Sequence, residues 1–113
     1  MTAQLQAHWT VVCRYDDLIA ERGVAALVDG DPVAVFRTHD DALYALSNLD
    51  PFSCASVLSR GIVGDRGGRA TVASPIYKQA FDLATGRCLD DPEVLVPTYA
   101  TRVVDGVVEV SAP

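Results

Sequence analysis

Short apolar stretches alternate with turn residues along the whole chain, a pattern typical of β-strands joined by tight turns. The first of these stretches, Trp9–Arg14, is rich in β-branched side chains and predicts an opening strand. Residues 23–28 and 32–37 flank Asp29-Gly30-Asp31, and an Asp-Gly pair between two apolar stretches is a strong hairpin signal. A further strand is predicted over 42–47.

The second half of the chain repeats this pattern. Four glycines surround Asp65-Arg66, but no Gly-Lys-Ser or Gly-Lys-Thr follows them, so a hairpin is favoured over a phosphate-binding loop. A tight turn is predicted at 84–86, and a second Asp-Gly pair, Asp105-Gly106, joins the last two strands. With almost no helical periodicity, these short strands predict an all-β fold, either an antiparallel β-sandwich or a small barrel.

The composition fits a single domain spanning 1–113. A chain of 113 residues can bury a core without a disulfide or a metal. Half of its residues are hydrophobic and 21% are charged, which excludes the disordered class. No apolar run approaches the roughly 18 residues of a membrane span, and no export signal is evident, so neither membrane insertion nor secretion is expected. The net charge of −6 makes nucleic acid an unfavourable partner.

The three cysteines, Cys13, Cys54 and Cys88, indicate neither a disulfide framework nor a zinc site, because their number is odd and no Cys-x-x-Cys spacing occurs. A reduced, cytoplasmic protein fits this usage best. Cys13 and Cys88 are expected to be small buried apolar residues. Cys54 stands close to one of the loops described next and could imitate a metal ligand there, but it has no suitable partner.

Two loop motifs that contain proline lie in the middle of the chain. The first is Asn48-Leu49-Asp50-Pro51-Phe52, and the second is Ser74-Pro75-Ile76-Tyr77, followed by Phe81-Asp82-Leu83-Ala84-Thr85-Gly86. Together they resemble the paired loops of Rieske iron–sulfur domains, and the similarity extends over nearly the whole chain. The resemblance implies a Rieske-like base of antiparallel strands that carries a small cluster-type subdomain at about 48–86.

In a Rieske domain one loop supplies Cys-x-His and the other Cys-x-x-His, because one iron of the [2Fe–2S] cluster takes two thiolates and the other takes two imidazoles. On this sequence the first pair falls on Asp50 and Phe52, and the second falls on Ser74 and Tyr77. None of the four is a cysteine or a histidine, and one carboxylate cannot hold a cluster. The resemblance therefore implies degenerate cluster-ligand positions, with no metal and no cofactor in this chain.

Within the Rieske family, one branch keeps the frame and lacks the ligands, namely the small subunits of NAD(P)H-dependent nitrite reductases. Residues 58–64, 74–81, 85–88 and 90–92 are similar to that branch. The resemblance implies a cytoplasmic, non-catalytic subunit that serves nitrate assimilation. Its partner would be a large subunit that carries FAD, a [4Fe–4S] cluster and siroheme and reduces nitrite to ammonium with electrons from NAD(P)H.

Two other functions remain open from the residues alone. A Rieske-type ferredoxin would transfer electrons, but it needs the missing thiolates and imidazoles. A small-ligand-binding module would use the vacated pocket, with Asp50, Ser74 and Tyr77 as its polar wall. A hydrolase is not indicated, because no serine lies in a Gly-x-Ser-x-Gly or similar context.

We expect two roles for the aromatic side chains of Phe52 and Tyr77, namely filling the core and contacting a partner. The two roles are compatible if one ring points inward and the other outward. An inward ring would fill the space of a cluster beside Phe81, so that Phe52→Ala costs about 3–5 kcal/mol. Asp50→Ala would cost much less if that carboxylate is solvated. An outward ring would belong to an apolar tip that contacts a partner. The residues of this predicted tip are Pro51, Phe52, Pro75, Ile76 and Tyr77.

Overall fold

The computed structural model describes residues 8–111, in which all regular elements are β-strands or short 3-10 helices. The predicted all-β class is confirmed, and no helix in this part of the chain has the length and hydropathy needed to span a bilayer. The strands are β1 Trp9–Arg14, β2 Arg22–Val28, β3 Asp31–Arg37, β4 Leu43–Ser47, β5 Leu49–Asp50, β6 Ala55–Ser56, β7 Ile62–Arg66, β8 Arg69–Ala73, β9 Ala80–Asp82, β10 Thr98–Val104 and β11 Val107–Ser111. The 3-10 helices are Tyr15–Asp17 and Leu58–Arg60.

Six strands form one antiparallel sheet in the order β1-β11-β10-β4-β3-β2. Strand β10 joins the two halves of this sheet, because it pairs with β11 from Ala100 to Val104 and with β4 at Thr98 and Tyr99. The two edge strands approach each other at one end, where Nδ1 of His8 lies 3.6 Å from Oδ1 of Asp29. The sheet therefore curls into a nearly closed barrel.

Strand β3 is buried on both faces, because its alternating side chains pack into two different clusters. Val33 and Val35 belong to the barrel cluster, whereas Ala34 and Phe36 belong to the cluster between the barrel and the loop subdomain. The barrel cluster consists of Leu18, Val28, Val33, Val35, Ala45, Val108 and Val110. The subdomain cluster consists of Ala34, Phe36, Leu46, Leu58, Val72, Phe81, Leu83, Cys88 and Val96.

The loop subdomain contains a two-stranded sheet, β5-β6, and a three-stranded sheet, β7-β8-β9. The tight turn predicted at 84–86 follows β9, and Gly86 there has a φ of +78°. The N–H of Val96 donates to the carbonyl oxygen of Gly86 at 2.9 Å. A Cβ atom at Gly86 would run into the carbonyl oxygen of Val96, so only glycine fits this position.

The hairpins predicted from the two Asp-Gly pairs are confirmed, since they join β2 to β3 and β10 to β11. The hairpin predicted around the glycines near Asp65 is also confirmed and joins β7 to β8. Strand β10 begins at Thr98, because Thr98 and Tyr99 pair with β4. That pairing is a long-range contact, which no local pattern encodes.

The three cysteines are free thiols in different environments. Cys88 is fully buried in the subdomain cluster, as predicted for a small apolar residue. Cys13 is half-buried, and burial together with the nearby carboxylate of Asp17 raises the pKa of its thiol. Cys54 is exposed.

Candidate functional site

Two loops of matching conformation meet at one end of the subdomain. The first runs from Asp50, at the end of β5, to Cys54, and the second runs from Ser74, just after β8, to Lys78. In each loop the N–H of the fifth residue donates to the carbonyl oxygen of the first, at 2.8 Å in the first loop and 3.0 Å in the second. The fifth residue has a positive φ in both loops, +60° at Cys54 and +66° at Lys78. Both loops are therefore closed by their own backbone hydrogen bonds.

A hydrogen bond joins the first residues of the two loops. The hydroxyl of Ser74 donates to Oδ2 of Asp50 at 2.5 Å, and both side chains are buried. Asp50 also accepts the hydroxyl of Ser53 at 2.9 Å and the N–H of Phe52 at 2.9 Å. Ser74 in turn accepts the N–H of Ile76 at 3.2 Å. The two positions predicted to correspond to Rieske cysteines thus hold a hydrogen-bonded carboxylate and hydroxyl.

Asp50 is fully buried, so the expectation of a solvated carboxylate at this position is wrong. Burial by itself raises the pKa of Asp50, because the charged form loses its hydration. Hydrogen bonds from Ser74, the Phe52 N–H and Ser53 outweigh this penalty and hold the pKa below its usual range. Asp50 is therefore ionised at neutral pH and depends on its donors for its charge.

The two aromatic positions point in different directions. Phe52 is half-buried against the subdomain cluster, with its ring centroid 6.2 Å from that of Phe81 at an interplanar angle of 49°. The side chain of Tyr77 is 60% exposed and that of Ile76 is 44% exposed. Exposed apolar residues of the two loops thus form what we call the tip surface, and Phe52 lies mostly beneath it. The tip surface consists of Pro51, Pro75, Ile76 and Tyr77.

The donor atoms of the loops do not fit a [2Fe–2S] cluster. Such a cluster needs thiolate or imidazole ligands, whereas Asp50 and Ser74 use their oxygens to bind each other and Phe52 has no donor atom. Cys54 is exposed, and its Sγ lies 3.9 Å from the carbonyl oxygen of Pro51. Among residues 8–111, no three His, Cys, Asp or Glu side chains converge as metal ligands.

A local turn motif also marks two residues of this site, independently of the predicted ligand positions. Asp and Ser side chains often accept the N–H two residues further on, and Asp50 and Ser74 both do so ahead of a proline. Asn48 is buried and fixes the base of the first loop. Its Oδ1 accepts the N–H of Ser59 at 2.7 Å and its Nδ2 donates to the carbonyl oxygen of Ser56 at 3.2 Å.

Loss of the Asp50 carboxylate is expected to destabilise the protein more than loss of the Phe52 ring. Asp50→Ala leaves three donors without an acceptor in a buried site, which costs about 3–5 kcal/mol. Phe52→Ala removes a ring that is only half-buried, so about 2 kcal/mol is expected, below the range for a fully buried phenylalanine. Urea denaturation of both variants at pH 7 measures the difference. The opposite order would show that the Asp50 hydrogen bonds contribute little.

Acid is expected to remove the stabilisation that Asp50 provides. Its folded-state pKa lies below the unfolded value of about 3.9, so its contribution is complete above that pH and is lost as the pH falls through the folded-state pKa. The gap in unfolding free energy between wild type and Asp50→Asn should be constant from pH 7 to about pH 5 and should narrow below about pH 4. Ser74→Ala, which removes one of the lowering hydrogen bonds, should weaken this pH dependence. A gap that is the same down to pH 3 would contradict the assignment.

The chain is similar to known proteins in both sequence and fold. Residues 8–111 match the family model described as the Rieske-like [2Fe-2S] domain. The chain is 45% identical over 104 residues to the nitrite reductase (NADH) small subunit of Escherichia coli K12, a match that covers 91% of this chain and 96% of that protein. It is 55% identical to a crystal structure from Mycobacterium tuberculosis, provisionally identified as an NADH-dependent nitrite reductase small subunit. The TM-score is 0.93, with 96% of this chain and 97% of the other covered.

A further relative has the same domain in a much longer polypeptide. The nitrite reductase [NAD(P)H] large subunit of Klebsiella oxytoca is 41% identical to this chain over 98 residues, which are 87% of this chain and 10% of that protein. In sequence and in fold, this chain belongs to the Rieske-like [2Fe-2S] domain family and, within it, to the branch of nitrite reductase small subunits.

Proposed function

We propose that this chain is the cluster-free, non-catalytic small subunit of a cytoplasmic NAD(P)H-dependent nitrite reductase that serves nitrate assimilation. It docks through the tip surface on a large subunit whose FAD, [4Fe–4S] cluster and siroheme reduce nitrite to ammonium. The observation that carries the proposal is an exposed apolar tip on a pair of loops that lack cluster ligands. In this view the domain retains the partner-binding end of an electron-transfer frame without the electron carrier.

The tip surface has the properties of a protein-binding site. Ile76 and Tyr77 are 44% and 60% exposed at adjacent positions, and the prolines of both loops are exposed beside them. Aromatic and aliphatic side chains of this kind commonly act as interface anchors. The loops below them are closed by backbone hydrogen bonds and joined by Asp50 and Ser74, so little ordering is needed when a partner binds.

The Klebsiella oxytoca large subunit supports the choice of partner. A domain 41% identical to this chain is part of that polypeptide, so it operates in permanent proximity to the rest of a large subunit. In the present protein the same contact would be made between separate chains. The docking function therefore explains why a domain of this fold is useful without a redox group.

The buried state of Asp50 and Ser74 argues against a small-ligand site in the vacated pocket. Their exposed fractions are 0% and 1%, and their oxygens are occupied by each other and by neighbouring donors. A ligand would have to break these hydrogen bonds to reach them. Docking therefore accounts for the loops better than the ligand-binding alternative does.

The purified protein is expected to be colourless and to remain free of a cluster after anaerobic reconstitution with iron and sulfide. The physical reason is that none of Asp50, Phe52, Ser74 and Tyr77 offers a thiolate or an imidazole. Iron and acid-labile sulfide analysis, together with electron paramagnetic resonance, measures the outcome. A Rieske-type signal at stoichiometric yield would restore the ferredoxin alternative.

Substitutions in the tip surface are expected to weaken association with the large subunit. Ile76→Asp or Tyr77→Asp removes an apolar anchor, which lowers affinity by roughly thirtyfold and reduces nitrite-dependent NAD(P)H oxidation when small subunit is limiting. An excess of either variant should restore the rate. Leu27→Asp is the matched control, because Leu27 is 69% exposed but lies on β2, outside both loops.

The assay of the large subunit alone is the necessary comparison. If its activity, cofactor content and stability are the same with and without this chain, the proposed subunit role is wrong. If Leu27→Asp impairs the pair as much as Tyr77→Asp does, the tip surface is not the contact site.

A further inference from the structure

The arginines of this chain fall into two groups by their partners. Five of the eight donate to acceptors within residues 8–111, namely Arg37, Arg66, Arg69, Arg87 and Arg102. The guanidinium groups of Arg14, Arg22 and Arg60 have no ion pair or hydrogen bond with these described residues, and all three are exposed. Two of those three, Arg22 and Arg60, line the same cleft.

This cleft, which we call the arginine cleft, has a volume of about 420 Å³. It lies between the start of β2 and the segment that leads from the second 3-10 helix into β7. Ser59 lines it as well, and its hydroxyl has no partner among residues 8–111, so a third donor is available. The residues that line the cleft are Glu21, Arg22, Gly23, Ser59, Arg60, Gly61, Ile62 and Val63.

Glu21 is the one acidic residue in this lining; it makes no ion pair with either arginine, and the lining keeps a net positive charge. Its Oε2 accepts the N–H of His39 at 3.2 Å, and its Oε1 lies 3.7 Å from Nδ1 of His39. The Glu21 carboxylate therefore interacts with His39, which follows β3. The guanidinium groups of Arg22 and Arg60 form no ion pair with any of the described residues.

The walls of the cleft are held at a fixed separation by close backbone packing. A Cβ atom at Gly23 would lie 2.6 Å from the carbonyl oxygen of Ser59 and 2.5 Å from the ring of Phe36, so β2 and the 58–60 segment touch directly. Gly61 is equally close to the carbonyl oxygen of Ala73. Both arginines thus extend from a fixed backbone, so only their side chains have to be ordered when an anion binds.

The cleft borders the strands that lead into the second loop. Ile62, at its end, is 75% exposed and pairs in register with Ala73, the residue immediately before Ser74. On the first loop, Ser59 is hydrogen-bonded to Asn48, two residues before Asp50. Because Ile62 lies between the cleft and the second loop, a partner that covers Ile76 and Tyr77 would also contact Ile62 and approach the two arginines.

We propose that the arginine cleft receives carboxylate side chains of the large subunit when the tip surface docks. This inference rests on the proposed docking function and adds the chemistry of the partner surface. Arginine is enriched at protein interfaces because its planar fork binds a carboxylate through two hydrogen bonds. In a chain of net charge −6, an unneutralised pair of arginines attracts an acidic patch that the rest of the surface repels, and so fixes the orientation of docking.

The test is the charge reversal of each cleft arginine, compared with the same change outside the cleft. Arg22→Glu and Arg60→Glu should each weaken binding to the purified large subunit by about tenfold in 50 mM NaCl, chiefly through slower association. Arg14→Glu is the control, because Arg14 is also exposed and unpaired but lies on β1, and it should change affinity by less than about threefold. In 300 mM NaCl the effect of the cleft variants should shrink, because salt screens the charges.

These measurements distinguish the contribution of the arginine cleft to binding from that of the tip surface. If Tyr77→Asp impairs binding while the cleft variants behave like Arg14→Glu, docking stands and the arginine cleft is overturned. If wild type does not bind the large subunit at all, the proposed function falls and the cleft inference falls with it. Arg22→Gln and Arg60→Gln, with unchanged urea midpoints, show that a weaker affinity is not caused by unfolding.

Titration of inorganic phosphate into the isolated chain tests whether the arginine cleft binds a free anion instead of a partner carboxylate. Backbone amide shifts should change little at Ser59, Arg60 and Arg22, because exposed arginines bind an isolated anion only weakly in water. Saturable phosphate binding at these residues, combined with unchanged affinity of the cleft variants for the large subunit, would assign the cleft to a free anion and overturn the proposal.

Discussion

Strand β3 sends Val33 and Val35 into the barrel and Ala34 and Phe36 into the core of the loop subdomain, so the two halves of the molecule share one wall. All four side chains are fully buried, and each of the larger three contributes about 1.5–3 kcal/mol by leaving water. The subdomain is therefore fixed to the barrel by packing. At the far end of the subdomain, the hydrogen bond between Asp50 and Ser74 holds the two loops together.

Much of the fold could be predicted because the decisive signals are local. Asp29-Gly30 and Asp105-Gly106 have positive φ at both residues, the conformation that a two-residue hairpin of matching twist requires, and Asp-Gly is a pair that adopts it readily. The pairing of β10 with β4 could not be predicted in the same way. It depends on where the barrel places Thr98 and Tyr99, far along the chain from their partners Leu46 and Ala45.

The site was predictable in its positions and not in its chemistry. The resemblance to paired Rieske loops predicted both loops, and the structure brings them together at Asp50 and Ser74. The residue types at the four positions predicted that a cluster does not fit. The burial of Asp50 depends on Ser74, 24 residues later, and a sequence pattern does not reveal that one residue will donate to the other. The same holds for Arg22 and Arg60, which become neighbours only because Gly23 lets the backbone near Ser59 approach β2.

A tip closed by Asp50 and Ser74 has a consequence for how the protein matures. In a metal-closed loop pair, folding free energy is linked to metal supply, so the shape of the tip depends on delivery of iron and sulfide. Here both closing groups are encoded in the chain and are in place once it has folded. In the proposed cluster-free state, the tip forms under iron limitation, and oxidants that dismantle exposed clusters have nothing to attack between these loops.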